Sequence, residues 1–405
     1  MDKVDIGTPT EDEVQEAVEH AFGADFVFRS PPRDDEKEAT DVLVLFDDVA
    51  LILQVKAEAV PLGGPVQRDP KDWAFKNLSK AARQVAGAAR TIRDGRLPYV
   101  ENERRGRVAF DGTAYPHRYG LIVLRHDSTP YDPYALSDDL RKVETPTQVL
   151  SFTDFVNVTG VLDTPGDLIN YVEHRGDILV PALAPKVHEE QRVFEYYLDH
   201  LEDVTVARAA RLEVPLTRVE IEPYANELRL VAGGGHPDIV AGRFIDGLLG
   251  YLHDVDPDLV IALADIDIET GKEHYVKVAT EIAKLVRVRR IRIGRTFLDL
   301  IAESSRVGRD MFKVIRSTRR DQCILLLASV RPVSKRSERA ADLLGYTTLA
   351  KEYYGYGTAI GIATEGAIGL GRSFDAVWVE LTAQPDERTM QLGREVFGEK
   401  SGSGK

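Results

Sequence analysis

The sequence is poor in cysteine and in long hydrophobic runs, and each shortage excludes a class of protein. Its 405 residues contain one cysteine, Cys323, which excludes an internal disulfide framework, a cysteine zinc cluster and an iron–sulfur cluster. Apolar runs are short and interrupted by charges, so none approaches the roughly 18–20 residues that a membrane span needs. The acidic N-terminal segment lacks the features of a signal peptide. We therefore expect a cytoplasmic protein with no membrane partner.

Charge is distributed unevenly along the chain. The net charge is −14, yet residues 284–339 contain 16 Lys or Arg and 5 Asp or Glu, a balance of +11 that leaves −25 for the rest. A local basic surface on an acidic protein can bind phosphate, because the field of a charge acts over about one Debye length. Solvated helix and strand faces account for the same segment equally well, so both interpretations stay open.

The N-terminal part shows the mixture of helix and strand patterns that is typical of an α/β domain. Two nearly continuous apolar runs, 41–46 and 49–55, are separated only by Asp47 and Asp48, which predicts a two-residue hairpin in a sheet covered on both faces. The other predicted elements are helices at 10–22, 72–93 and within 153–174, and strands at 25–29, 119–125 and 149–152. The order α-β-β-β-α-β-β-α predicts a three-layer α/β domain over residues 1–178.

A stretch with two prolines at 178–185 separates this domain from a second α/β domain at 186–400, whose fold the pattern does not identify. The predicted elements of the second domain are helices at 186–201, 239–253 and 297–315, and strands at 286–293, 323–328 and within the glycine-rich segment 355–371. Arginine lies on both faces of the predicted strand 286–293. This is typical of a sheet edge or of contact with phosphate.

Three polar residues are expected to meet at one end of the predicted hairpin. Asp41 opens the first strand, and Gln54 and Lys56 close the second, so the turn brings them together. Gln54 and Lys56 are two positions apart and therefore share one face of the sheet. Burying a lysine near a carboxylate costs free energy unless the charges are paired or used. The arrangement therefore needs a physical explanation.

A hard divalent cation would provide that explanation. Mg²⁺, or Mn²⁺ in its place, takes oxygen ligands, which the Asp41 carboxylate, the Gln54 amide and the Val55 backbone carbonyl would supply. Lys56 would orient the attacking water and offset phosphate charge, while the metal polarises a phosphodiester. The simpler interpretation is an Asp–Lys ion pair at the end of a sheet, next to a hydrogen-bonded glutamine.

Asp41, Gln54 and Lys56, placed on an αβββαβ order, resemble the PD-(D/E)xK restriction-endonuclease-like superfamily and, more narrowly, its Mrr-like branches, whose motif often reads Asp…Gln-x-Lys. The resemblance covers roughly residues 10–130 and leaves the C-terminal half outside. It implies a Mg²⁺-dependent DNA endonuclease of restriction or anti-phage defence, with Asp41 and Gln54 as metal ligands and Lys56 beside the water. Gln54 replaces the usual second carboxylate, which lowers the charge that holds the metal.

The same resemblance implies one more acidic residue, because the family often adds a glutamate from the first helix. Glu11, Glu13, Glu16 and Glu19 compete for this place. We favour Glu13, at the edge of the buried stripe, as a catalytic residue and metal ligand. Its other interpretation is that it only caps its helix.

Seven basic residues and one glutamine are candidate contacts to nucleic acid. They are Lys76, Lys80, Arg83 and Gln84 on the helix that follows the motif, and Arg287, Arg289, Arg290 and Arg292 on the predicted strand 286–293. Regularly spaced cations suit contact with a phosphate backbone. A solvated face is the alternative for both groups.

These patterns together predict a metal-dependent nuclease whose active site lies in the first domain. The second domain would bind substrate, sense a signal, or mediate self-association or contact with a defence-system partner protein. One alternative is a non-catalytic nucleic-acid-binding or assembly protein that keeps the nuclease fold, which the neutral Gln54 supports. A ribonuclease with the same metal site is the other alternative, since phosphodiester chemistry does not identify the sugar.

Overall fold

The computed structural model describes residues 7–58, 70–126, 131–176, 183, 185–200, 218–253, 268–316, 321–366, 373–380 and 386–398. The chain is a mixed α/β protein with two compact units, Met1–Arg208 with Leu216–Gly235 and Ala209–Pro215 with His236–Lys405. The first unit thus continues past residue 178, where the sequence patterns placed the end of the first domain. Within the described ranges, no helix is long and apolar enough to cross a membrane.

The first unit is built on a five-stranded mixed sheet. The strands of the whole unit are β1 (Val27–Arg29), β2 (Val42–Phe46), β3 (Val49–Ala57), β4 (Tyr99–Asn102), β5 (Gly106–Ala109), β6 (His117–Arg125) and β7 (Thr147–Ser151). Its helices are α1 (Gly7–Phe22), α2 (Pro70–Arg93), α3 (Pro133–Leu136), α4 (Asp138–Lys142), α5 (Phe152–Val161), α6 (Pro165–His174), α7 (Glu190–Asp199) and α8 (Arg218–Ala232). The sheet order is β1-β2-β3-β6-β7, while β4 and β5 form a separate ribbon.

The predicted hairpin is confirmed, and it determines which strand ends meet. Phe46 pairs with Val49 across the turn, and Asp47 between them has a φ of 54°, a left-handed conformation that aspartate tolerates. Strand β2 is antiparallel to β3, whereas β3, β6 and β7 are parallel. The start of β2 therefore lies at the same sheet edge as the ends of β3 and β6.

Helix α2 covers one face of this sheet. The buried cluster on that face contains Leu43, Leu45, Ala50, Ile52, Ile122 and Leu124 from the strands and Trp73, Leu78, Ala82 and Val85 from α2. Side chains alternate between the two faces of a strand, so Asp41, Gln54 and Lys56 continue the α2-facing rows. Phe46, in the alternate row, packs edge-to-face with Phe22 of α1 at a centroid distance of 6.3 Å.

The second unit contains a four-stranded sheet in the order β11-β10-β9-β8. Its strands are β8 (Met311–Arg316), β9 (Gln322–Ser329), β10 (Thr358–Glu365) and β11 (Phe374–Glu380). Its helices are α9 (Ile239–His253), α10 (Ile268–Ala283), α11 (Arg287–Val307), α12 (Arg336–Tyr354) and α13 (Glu387–Phe397). Strands β9 and β10 are parallel, and the outer pairs are antiparallel.

The predicted strand at 286–293 is wrong, because this segment is the first part of helix α11. Arg287 and Arg290 are three positions apart, so they share one helical face, and each lies 2.7 Å from a carboxylate oxygen of Asp246 on α9. The alternation of valine and arginine in the sequence is typical of a strand. The buried ion pairs of Arg287 and Arg290 with Asp246 require both arginines on one face, which the helix provides. The helix ends at Val307, before Gly308 in a left-handed conformation (φ 66°), instead of continuing to residue 315 as predicted.

Candidate active site

The start of β2 and the end of β3 bring the predicted motif residues together. Val42 pairs with Leu53, so the register places Asp41 opposite Gln54. We call the place where β2 begins and β3 ends the corner at Asp41. Thr40 joins its two strands, since the Thr40 hydroxyl donates to the Leu53 carbonyl at 2.6 Å and accepts from Gln54 Nε2 at 3.0 Å. The bond to Thr40 turns the Gln54 amide so that its oxygen faces the lysine. Gln54 is buried, with 1% of its surface exposed.

Three oxygen atoms of different kinds converge on the Lys56 ammonium. Its Nζ lies 3.4 Å from Asp41 Oδ2, 3.2 Å from Gln54 Oε1 and 2.8 Å from the Val55 carbonyl oxygen. Asp41 Oδ2 also accepts the Val55 backbone N–H at 2.6 Å, which holds the carboxylate in place independently of the lysine. The Asp41 and Lys56 side chains are only 14% and 12% exposed. The cation is therefore enclosed by a carboxylate, an amide and a carbonyl.

The electrostatics of this corner bring in a residue of α1 and one of α2. Burial lowers the pKa of the Lys56 ammonium, and the nearby Lys80 charge lowers it further, while Asp41 and Glu11 oppose the shift. Burial raises the pKa of the Glu11 carboxyl, as do the charges of Asp41 and Glu38. Glu11 and Lys80 are thus part of the same electrostatic cluster as Asp41 and Lys56.

Among the first-helix glutamates, Glu11 is the one that acts electrostatically on Asp41 and Lys56, and its carboxylate lies 3.8 Å from Arg29. Glu13 is exposed and forms an ion pair with Arg125 at 2.7 Å. Two helical positions turn a side chain by about 200°, so Glu11 and Glu13 point in nearly opposite directions. Glu11 lies seven positions before the buried Val18 and hence on the same face of α1. That spacing was the signal available in the sequence.

The predicted nucleic-acid contacts on α2 have mixed placements. Lys76 and Lys80 are exposed, and Arg83 is exposed and paired with Asp139 of α4. Lys80 is the one of these that acts electrostatically on Lys56. Gln84 is partly buried, and its Oε1 atom has no hydrogen-bond donor among the described residues. The helix therefore presents cations beside the corner and one unused acceptor a turn beyond Lys80.

The predicted contacts in the second unit divide into internal and outward-facing residues. Arg287 and Arg290 are buried, 1% and 3% exposed, and are held by Asp246. Arg287 and Arg290 were expected to contact nucleic acid. The structure corrects this expectation, because their charges face a carboxylate inside the unit. Arg289 is partly buried and Arg292 is exposed. Only the latter two keep a surface position.

Glu58 and His126 were not predicted, yet they lie at the same sheet edge. The Glu58 N–H donates to the Arg125 carbonyl at 3.0 Å, which extends the pairing of β3 with β6 by one residue. His126 Nε2 lies 3.1 Å from Glu58 Oε2, and its ring packs on Trp73 of α2 at 4.5 Å between centroids. Glu58 follows Lys56 by two positions, so it shares its face. The alternation Gln54-x-Lys56-x-Glu58 was the available sequence signal for Glu58.

Comparison with protein-family models, with curated proteins and with solved structures finds no match to this chain. Within the described part of the chain, no group of three or more His, Cys, Asp or Glu side chains is arranged to hold a metal ion. The corner at Asp41 does not depend on such a group, since two of its oxygen donors are an amide and a backbone carbonyl.

Proposed function

We propose that the chain is a metal-dependent nuclease of the restriction-endonuclease-like type, with a three-layer first domain and its active site at the edge where β2 begins and β3 ends. The observation that carries the proposal is the convergence of Asp41 Oδ2, Gln54 Oε1 and the Val55 carbonyl on one enclosed cation, Lys56 Nζ. DNA is the substrate we favour.

The donor set fits a hard divalent cation. Carboxylate, amide and carbonyl oxygens are the ligands that Mg²⁺ and Mn²⁺ take, and here they already surround a positive charge. Asp41, Gln54 and Val55 would hold the ion, with Glu11 as the additional carboxylate in place of the expected Glu13. Bound there, the ion would polarise the phosphodiester and lower the pKa of a water molecule.

The residues of the chain have separable tasks in this proposal. Lys56, whose pKa is lowered by burial, is suited to orient a water molecule and to exchange a proton with it. The raised pKa of Glu11 would fall when positive charge arrives beside it. Lys80 lies exposed beside the corner, where it can contact a phosphate of the substrate.

The test is cleavage of supercoiled plasmid and of total RNA with Mg²⁺, with Mn²⁺ and with EDTA. The active-site variants are Asp41→Asn and Lys56→Met. Asp35 and Lys37 provide a matched control, because they form an exposed Asp–Lys pair at 3.5 Å in the same unit. We expect metal-dependent cutting that both active-site variants lose and that Asp35→Asn and Lys37→Met keep. Full activity of Lys56→Met would refute the proposed site.

One observation favours a second function, a nucleic-acid-binding or assembly protein without catalysis. Gln54 is neutral where the superfamily that the motif resembles usually carries a carboxylate, so the corner has less charge with which to hold a metal. Such a protein would show no turnover with either metal, and its affinity for DNA would depend on salt alone. The RNA arm of the same assay separates a ribonuclease from a deoxyribonuclease.

A further inference from the structure

A cationic pocket lies at the opposite edge of the first unit's sheet from the candidate active site. It has a volume of about 320 Å³ and lies between the last turns of α2, the start of β6 and the segment before β7. Arg118, in its wall, pairs in register with Ala50, six positions before Lys56 on β3. At about 3.3 Å per residue this separation is roughly 20 Å. The pocket is therefore distinct from the corner at Asp41.

The lining combines small apolar residues with positive charge. The apolar part is formed by Ala86, Ala89, Pro116 and Pro146, and the cations are Arg90, Arg93, Arg118 and Lys142. Glu144 is the carboxylate in the lining, and Asp94 pairs with Arg93 at 3.1 Å just outside it. Four cations against these two carboxylates leave a local charge of +2. The pocket thus attracts anions.

Arg118 supplies a donor that the described residues do not use. Its Nε atom is buried and has no hydrogen-bond acceptor among them, while its Nη2 donates to the Gly112 carbonyl at 3.3 Å. Burial lowers the pKa of the Arg118 guanidinium, and the charge of Arg93 acts in the same direction. The hydrogen-bonding capacity of the Arg118 guanidinium is therefore not fully used by the described residues.

The cations come from three different elements, which a helix-terminus effect alone does not explain. The carbonyl end of α2 favours positive charge in its last turn and accounts for Arg90 and Arg93. Arg118 lies on a strand and Lys142 ends α4. Within the described part of the chain, neither Arg90 nor Lys142 forms an ion pair. The described residues thus leave two charges at the rim uncompensated.

We propose that this pocket binds a phosphate-bearing small molecule of about the size of a mononucleotide. Guanidinium groups match the geometry of phosphate oxygens, and Lys142 adds a point charge. The volume lies at the lower end of the range of ligand sites, about 300–1,000 Å³. The alanine and proline walls offer an apolar surface for a planar ring. This inference is independent of the proposed nuclease activity.

The test is isothermal titration calorimetry of the full chain with ATP, ADP, AMP, adenosine and inorganic phosphate. EDTA is present throughout, so that no divalent ion at Asp41 contributes to binding. The variant is Arg90→Ala combined with Lys142→Ala, since both side chains are exposed and their removal should leave the fold intact. Arg141→Ala is the matched control, because Arg141 is the exposed neighbour of Lys142 and lies outside the lining.

We expect at least one phosphate-bearing probe to bind with a Kd below about 1 mM. The double variant should weaken that binding by about tenfold or more, and Arg141→Ala should leave it unchanged. Adenosine should not bind measurably. The proposal is overturned if no probe binds, if adenosine binds as well as AMP, or if Arg141→Ala causes the same loss. Binding of a single-stranded oligonucleotide without any small phosphate would also overturn it, because the pocket would then belong to a nucleic-acid surface.

Discussion

Replacement of Asp41 by asparagine tests how the corner around Lys56 is held together. The change keeps the shape of the side chain but removes the charge 3.4 Å from Lys56 Nζ. At an effective dielectric constant of about 20, that separation corresponds to roughly 5 kcal/mol of attraction. Lys56 keeps Gln54 Oε1 and the Val55 carbonyl, so the net cost should be smaller. We expect Asp41→Asn to lower the free energy of unfolding by about 2–4 kcal/mol at pH 7.

The pH dependence of that loss has a definite sign. The pKa of Lys56 in the folded wild type is already below its ordinary value, and losing Asp41 lowers it further. The lysine of the unfolded chain titrates near its ordinary pKa in both proteins. Between the two folded-state pKa values, the variant has released its proton while the wild type has not. The stability of the variant relative to wild type therefore rises with pH in that window, and its deficit shrinks.

The assay can report on the first unit alone. The chain has two tryptophans, Trp73 in α2 and Trp378 in β11, so Trp73 fluorescence in a Trp378→Phe background follows the unit that contains Asp41. Denaturant unfolding of Asp41→Asn, Lys56→Met and the double variant gives a coupling free energy, which we expect to exceed about 1.5 kcal/mol.

The exposed pair Asp35–Lys37 is the control for this cycle. Its side chains are 38% and 77% exposed, so its coupling should be close to zero. Additivity at Asp41 and Lys56 within about 0.5 kcal/mol would refute the reasoning. So would equal coupling at the two pairs, since burial would then have no influence.

Three further outcomes follow from other groups. Glu11→Gln should stabilise the fold at neutral pH by less than about 1 kcal/mol. The pKa of Glu11 is raised in the folded state, so the wild type loses stability as pH rises through that pKa, and the gain of the variant disappears below the ordinary carboxyl pKa. Melting curves from pH 4 to 8 would check this. Asp246→Asn should destabilise the second unit by about 3–5 kcal/mol, since the buried Arg287 and Arg290 lose their carboxylate; Trp378 fluorescence in a Trp73→Phe background measures it. Burial raises the pKa of the Cys323 thiol to about 12, so this thiol should react with a disulfide reagent at pH 8 far more slowly in the native protein than in denaturant.

The hairpin and its polar end were predictable because they depend on local patterns. Two apolar runs joined by Asp47 and Asp48 allow one register, and alternation then places Gln54 and Lys56 on one face. No knowledge of distant contacts is needed for that step. Local patterning likewise predicted α1, α2 and β9.

The residues that were missed depend on contacts between distant parts of the chain. His126 comes beside Glu58 only through the parallel pairing of β3 with β6, which a hairpin argument does not specify. Glu13 was favoured for its place at the edge of the buried stripe, whereas Glu11 is the first-helix glutamate that acts electrostatically on Asp41 and Lys56. The segment 286–293 carries both a strand-like alternation and a helical spacing of arginines, and the partner that decides between them, Asp246, lies 41 residues before Arg287.

Two of the buried charge clusters among the described residues differ in how well their charged groups are stabilised. In the second unit, Arg290 pairs with Asp246 and also donates to the Leu285 and Ala283 carbonyls, so its charge and its donors are satisfied within the unit. At the start of β2, the pKa of Lys56 is lowered and that of Glu11 is raised, so each of these groups is less stable in its charged form than it would be in water. A well-packed apolar corner would cost less. Conflict between local stability and residue choice is expected where a site is shaped for a ligand, and here it is concentrated where a carboxylate, an amide and a carbonyl already enclose a cation.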